Sequence, residues 1–210
     1  VMADPETVRQ GPAPCVVRVC EEGRRYLWGE DLIGELPRGW VQFSFEPRGV
    51  GETSWGRSLD WHVRRACAWT GRTVASMQVY DTLRAIEAAR SMPEVDGGRV
   101  ALAARGPMCA VALYAALLDG QVQALLLEDP PATQDAASAP DGSGPAIEML
   151  CCLRVTDLPQ VAGLLWPAEL VFVHDRPESY RWAEAVYERL GAPGVVRHVK
   201  TVAGWCAAGR

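Results

Sequence analysis

Apolar residues in this chain gather in short unbroken runs, and between the runs they recur at every third or fourth position. The runs are "CVVRVCE" at 15–21, "RVALAA" at 99–104, "VQALLLEDPP" at 122–131 and "AELVFVHD" at 168–175. Short runs rich in valine and leucine, bounded by turn residues, predict buried strands. "WVQFSFE" at 40–46 is different. Val41, Phe43 and Phe45 share one face, and Trp40, Gln42 and Ser44 share the other. That half-polar alternation predicts an edge strand. A sixth strand, "VVRHVKTV", is expected at 195–202. The stretches between predict helices at 22–36, at about 70–92, and at 108–119, 156–165 and 179–192. Val79, Leu83 and Ile86 form the apolar stripe of the second, and Trp182, Val186 and Leu190 that of the last.

Strand and helix therefore alternate six times. This predicts an α/β fold, a doubly wound and mostly parallel sheet of about six strands with helices on both faces. Residues 1–14, with Pro5, Pro12 and Pro14, read as an N-terminal arm or linker, and 15–210 as the domain. Residues 47–58 read as a glycine-rich loop and 132–145 as a flexible one.

Composition narrows the function classes. A net charge of −5 without a basic stripe argues against a nucleic-acid partner. No run reaches the roughly 18 apolar residues of a membrane span. Of 21 basic residues only Lys200 is a lysine, which fits the coding bias of a GC-rich genome. The seven cysteines (Cys15, Cys20, Cys67, Cys109, Cys151, Cys152, Cys206) are odd in number and irregularly spaced, so they form no disulfide framework. Unpaired cysteines favour the cytoplasm, and no signal peptide is visible. There is no C-x-x-C, and His62, His174 and His198 make no ligand pattern, so no metal or cofactor is expected. The glycines form neither a dinucleotide fingerprint nor a P-loop.

Three stretches carry a family resemblance. They are "FSFEPRGVGET", "YDTLRAIEAARSMPEVDGGRVALAARG" and "LLWPAELVFVHD". In order and spacing they resemble the α/β-hydrolase superfamily, its acetyl xylan esterase and prolyl-oligopeptidase-like branch, over roughly residues 15–200. The resemblance implies a strand order of 40–46, 15–20, 99–104, 122–128, 168–173, 195–202. It also implies that the family's first two strands, an antiparallel pair beside strand 40–46, are missing. The exposed edge invites pairing. Its expected cover is residues 1–14, the remainder of a longer chain, or a second copy in a homo-oligomer.

The family places its nucleophile in G-x-S-x-G, a turn that exposes serine above the sheet. Here that motif falls on Ala104-Arg105-Gly106-Pro107-Met108. Gly106 stands at the nucleophile position, and Pro107 lacks the backbone N–H that would serve as an oxyanion donor. Cys109 lies three residues on, inside the helix, where a small buried side chain is its plainer reading. The acid position matches Asp175, or less well Glu178, and a solvated acid capping the next helix is the plainer reading of Asp175. The loop after the last strand, where the family histidine belongs, has none. Arg48 and Glu52 are expected to pair and brace the loop.

Three functions follow. The first is a hydrolase-fold domain without catalysis, kept for binding or structure. The second is a live ester hydrolase with a non-standard nucleophile (Cys109, Ser54 or Ser58) served by Asp175 and one of His62, His174 or His198. The third is a small-anion-binding module at Arg48, Arg105 and Gly106. An open cleft lined by the two arginines would favour the third. One filled by Trp55, Trp61 or Met108 would favour the first. A Ser or Cys bonded to a His would favour the second.

Overall fold

The computed structural model describes residues 2–3, 5–21, 32–33, 36–136 and 144–208. In chain order the elements are Met2–Ala3 (β1), Pro5–Gln10 (α1), Ala13–Val19 (β2), Val41–Phe45 (β3), Arg57–Trp69 (α2), Val74–Arg90 (α3), Val95–Arg105 (β4), Met108–Asp119 (α4), Ala124–Glu128 (β5), Leu158–Leu164 (α5), Glu169–Val173 (β6), Arg181–Arg189 (α6), Val196–Val199 (β7) and Val202–Ala208 (α7). The sheet order is β1-β3-β2-β4-β5-β6-β7. The six strands from β3 to β7 are parallel throughout. This is the order implied by the resemblance.

The sheet is buried on both faces, as parallel sheets with crossover helices must be. Successive residues point to opposite sides. Val17, Leu102, Leu125, Leu127 and Phe172 join α3, α4, α5 and α6 in one core cluster. Val16, Ala101, Ala103, Leu126 and Val171 face the other way, toward Leu32, Ile33 and α7. α4 is apolar on every side and buried from Met108 to Ala116, so it needs no amphipathic pattern. It stops at Gly120, whose φ of +65° closes the helix in the left-handed conformation. Thr73 and Ser76 form a reciprocal capping box at the start of α3.

Several expectations change. The described part of residues 1–14, expected as an arm or linker, carries regular elements. Met2–Ala3 pairs antiparallel with Val41 and Gln42, beside the edge strand where the resemblance leaves strands missing. Pro5–Gln10 is helical, and the first central strand begins at Ala13. Helix α2 is not anticipated, since its first two residues fall in the expected loop 47–58 and the rest precede the helix expected from about 70. Its half-buried positions are Val63, Arg64 and Cys67, so it has no apolar stripe to recognise. It is held instead by Arg64, whose guanidinium makes two 2.9 Å hydrogen bonds to Glu148. α6 turns Ala183 and Tyr187 to the core rather than Trp182, Val186 and Leu190. Tyr187 Oη donates to the Ala168 carbonyl at 2.8 Å, which fixes the helix's rotation. Trp182 instead lies across Gly163 of α5, 2.5 Å from where a Cβ would stand. The last strand ends at Val199, and α7 follows it, burying Val202, Trp205 and Cys206. Most of the helix expected at 22–36, and residues 137–143 of the loop expected at 132–145, lie outside the described residues.

Candidate active site

The carboxyl ends of β2, β4, β5 and β6 converge on the turn between β4 and α4. In open parallel sheets this end is where ligands are bound. β4 ends at Arg105, Gly106 and Pro107 make the turn, and α4 starts at Met108. The strand, tight turn and helix expected from the sequence are therefore present. Gly106 has φ of +53°, in the left-handed region that favours glycine. Its N–H donates to the Glu128 carbonyl at 2.9 Å, tying the turn to the end of β5. A Cβ on Gly106 would stand 2.9 Å and 3.2 Å from the two carboxylate oxygens of Glu21. The space a nucleophile's side chain would occupy is thus taken by an acid from the end of β2.

Cys109 is fully buried. Its Sγ lies 3.3 Å from the Ala104 carbonyl and 3.4 Å from that of Glu128, so the thiol donates into the strand ends. Burial pushes its pKa well above the usual thiol range, and the nearby charges of Glu21, Asp129 and Glu128 push the same way. A thiol held neutral is a poor nucleophile.

The group that organises the site is Glu128, which the sequence reading passed over. Its side chain is 8% exposed. Arg105 Nε donates to its Oε2 at 2.7 Å, and His174 Nε2 lies 3.4 Å from its Oε1. The hydrogen bond to Glu128 raises the Arg105 pKa above its ordinary value. His174 follows β6 with φ of +65°, rare for a residue with a side chain. The carboxylate and the imidazole come from strands adjacent in space, 46 positions apart in the chain. Only the sheet order could have paired them, although an acid directly after the apolar run "ALLL" was a visible signal.

The other expected site residues do not meet. Asp175 is exposed. It does not cap the following helix, because the single turn Glu178–Tyr180 begins after Pro177 with no side-chain cap. Glu178 pairs with Arg181 at 3.0 Å. His198 sits within β7, stacked on Phe172 at 5.6 Å and 3.3 Å from Glu184 Oε1. His62 and Ser58 are exposed on α2, and Ser54 Oγ accepts from the Gly56 N–H at 3.3 Å. Among the described residues no Ser or Cys is hydrogen-bonded to a histidine.

Arg48 does not pair with Glu52. It makes a bidentate contact with Asp81 on α3, Nε to Oδ2 at 2.8 Å and Nη2 to Oδ1 at 2.5 Å. The Arg48 backbone N–H also donates to Asp81 Oδ2. That hydrogen bonding raises the Arg48 pKa. Trp55 packs on Gly49, where a Cβ would meet its ring at 2.7 Å. Met108 is buried, and Trp61 is 37% exposed on α2. Among the described residues no group of three His, Cys, Asp or Glu side chains is placed to hold a metal ion, and no helix is long and apolar enough to cross a membrane.

No family model matches the chain, and no curated protein sequence does. Solved structures do match. A Bacteroides fragilis protein assigned as an acetyl xylan esterase superposes with a TM-score of 0.68 at 13% identity, over 89% of this chain. A carbohydrate esterase family 15 glucuronoyl esterase from Caldicellulosiruptor kristjansonii superposes with a TM-score of 0.61 at 14% identity, over 100% of this chain. The acylaminoacyl peptidase of Pyrococcus horikoshii matches with a TM-score of 0.55 at 16% identity, over 91%. The chain spans 58%, 72% and 32% of these three proteins respectively.

Proposed function

We propose that this chain, which has the α/β-hydrolase fold, is a non-catalytic domain whose strand-end site has become a structural ion-pair cluster, kept for binding or for the integrity of a larger assembly. One observation carries the reading. The turn that would present a nucleophile holds Gly106 in a left-handed conformation under the Glu21 carboxylate, followed by a proline without an N–H donor. A triad acts as a unit, so the pairing of His174 with Glu128 is an acid–base pair with nothing to activate. Both arginines of the anion-binding alternative are occupied, Arg48 by Asp81 and Arg105 by Glu128. The esterases above support the fold, and their substrates are not carried over to this chain.

The binding surface of this reading is the sheet edge at 40–46. β1 pairs with only Val41 and Gln42, which leaves Phe43 to Phe45 beyond its register and half-buried. An edge strand in that state accepts another strand, from a second copy or from the remainder of a longer chain.

The test is hydrolysis of a panel of short-chain p-nitrophenyl esters by the wild type, Cys109→Ala and Gly106→Ser. Rates at the buffer background for all three support the proposal. Wild-type turnover that Cys109→Ala abolishes overturns it and makes the protein a cysteine esterase.

A further inference from the structure

The opposite end of the sheet holds a cavity that the hydrolase-like site does not use. It has a volume of about 580 Å³ and lies beneath the middle of β4 and the amino ends of β5 and β6, against the last turn of α4. We propose that this cavity binds a small organic anion with a flat aromatic body.

The volume falls in the range of about 300–1,000 Å³ typical of small-molecule sites. Three tryptophans line it, Trp40, Trp166 and Trp205. Trp40 and Trp205 lie with ring centroids 5.5 Å apart at 59°. Trp205 Nε1 donates to Glu169 Oε2 at 2.9 Å, so this ring is held in place before any ligand arrives. Trp166 is 43% exposed at the wall. Rigid aromatic surfaces set at an angle suit a flat π-system, which meets one ring face to face and another by its edge. Such side chains lose little freedom when they bind.

The charge at the wall selects an anion. Arg99 lines the cavity, and its guanidinium has no hydrogen-bond or ion-pair partner among the described residues. The acids nearby are already neutralised. Glu169 accepts from Arg197 Nη1 at 2.9 Å as well as from Trp205. Asp119, at the end of α4, is gripped by both Arg90 terminal nitrogens. Gln121 and Gln123 also line the cavity, and their side-chain amides have no partner among the described residues. The wall therefore offers one uncompensated guanidinium, whose planar fork matches a carboxylate, sulfonate or phosphate, beside amides that can donate to the same group. A neutral aromatic would leave that guanidinium to water.

This site is independent of the strand-end reading, since it shares no residue with Gly106, Glu128 or His174. The test is fluorescence titration with 1-anilinonaphthalene-8-sulfonate and with its uncharged relative N-phenyl-1-naphthylamine. Wild type, Arg99→Gln and Trp166→Ala are compared after circular dichroism has shown that each is folded. Both substitutions are at exposed positions. The sulfonate is expected to bind at one saturable site. Arg99→Gln is expected to weaken it roughly tenfold while shifting the neutral probe less than about twofold. Trp166→Ala is expected to weaken both. Absence of saturable binding, binding indifferent to both substitutions, or equal loss of the two probes in Arg99→Gln would overturn the proposal.

Discussion

At the scale of single residues, the strand-end site is decided by two acids and a glycine. Gly106 is held at φ of +53° with Glu21 oxygens where a side chain would begin. Gly106→Ser therefore adds a left-handed backbone cost and a contact that Glu21 must relieve by moving. It is expected to cost about 1–2 kcal/mol in urea denaturation, and an equal or higher urea midpoint would refute this. Glu128 neutralises Arg105 from a nearly buried position. Truncation to alanine takes a close carboxylate from a half-buried guanidinium, and a loss of about 1–3 kcal/mol is expected. Glu128→Gln keeps an acceptor for Arg105 and should lose less. If the two variants unfold at the same denaturant concentration, the cluster is not held by that hydrogen bond. Arg48 teaches the same lesson by a different route. Glu52, the acid expected to pair with it, loses to Asp81, because α3 presents a carboxylate that can take two guanidinium nitrogens and the backbone N–H at once.

At the scale of elements, the central strands and the helices α3 to α6 were legible, and α1, α2 and α7 were not. β5 is apolar from residue 124 to 127 because both its faces are buried. α2 shows no such signal, since a salt bridge to Glu148, 84 residues away, does what an apolar stripe does elsewhere. The start of α3 is anchored locally, and Thr73→Ala should cost about 1 kcal/mol by removing one half of the capping box. An unchanged thermal midpoint would show that the cap is redundant with the packing of α3. The edge strand β3 is guarded over two residues by β1. Deleting residues 1–10 bares the backbone of Val41 and Gln42, and concentration-dependent self-association above that of the full chain is expected in sedimentation velocity. Identical sedimentation would mean that β1 does not protect the edge.

At the scale of the whole molecule, burial couples stability to alkaline pH. Burial pushes the Cys15 thiol from 9.0 up to about 12 and that of Cys109 well above its usual range. The phenols of Tyr180 and Tyr187 are raised above theirs for the same reason. Above pH 9 the unfolded chain releases thiol protons that the folded chain still holds. The unfolded state then binds fewer protons, so stability is complete below pH 9 and falls as the pH rises toward 12. Each such thiol contributes up to about 1.4 kcal/mol per pH unit within its window. The urea midpoint should therefore be lower at pH 10.5 than at pH 8, and the fall should be smaller in Cys15→Ala. A midpoint that does not change between these pH values would contradict the burial of both thiols.

What the chain determined by itself was the sheet. Unbroken apolar runs separated by helical spacing specify parallel strands with crossovers, because each residue's side of the sheet follows from its position in the run. The turn at 104–108 was legible for the same reason, being bounded on both sides by apolar elements that are buried whole. Side-chain partnerships were decided only by tertiary structure. Glu128 meets His174, Glu21 covers Gly106, and Arg48 finds Asp81, all across separations that no local period encodes. Ionic and hydrogen-bonding contacts depend on which strand ends and helices lie side by side, and that adjacency exists only once the sheet is ordered. The cavity at the other end arises in the same way, from a tryptophan ahead of β3, another ahead of β6 and a third in α7.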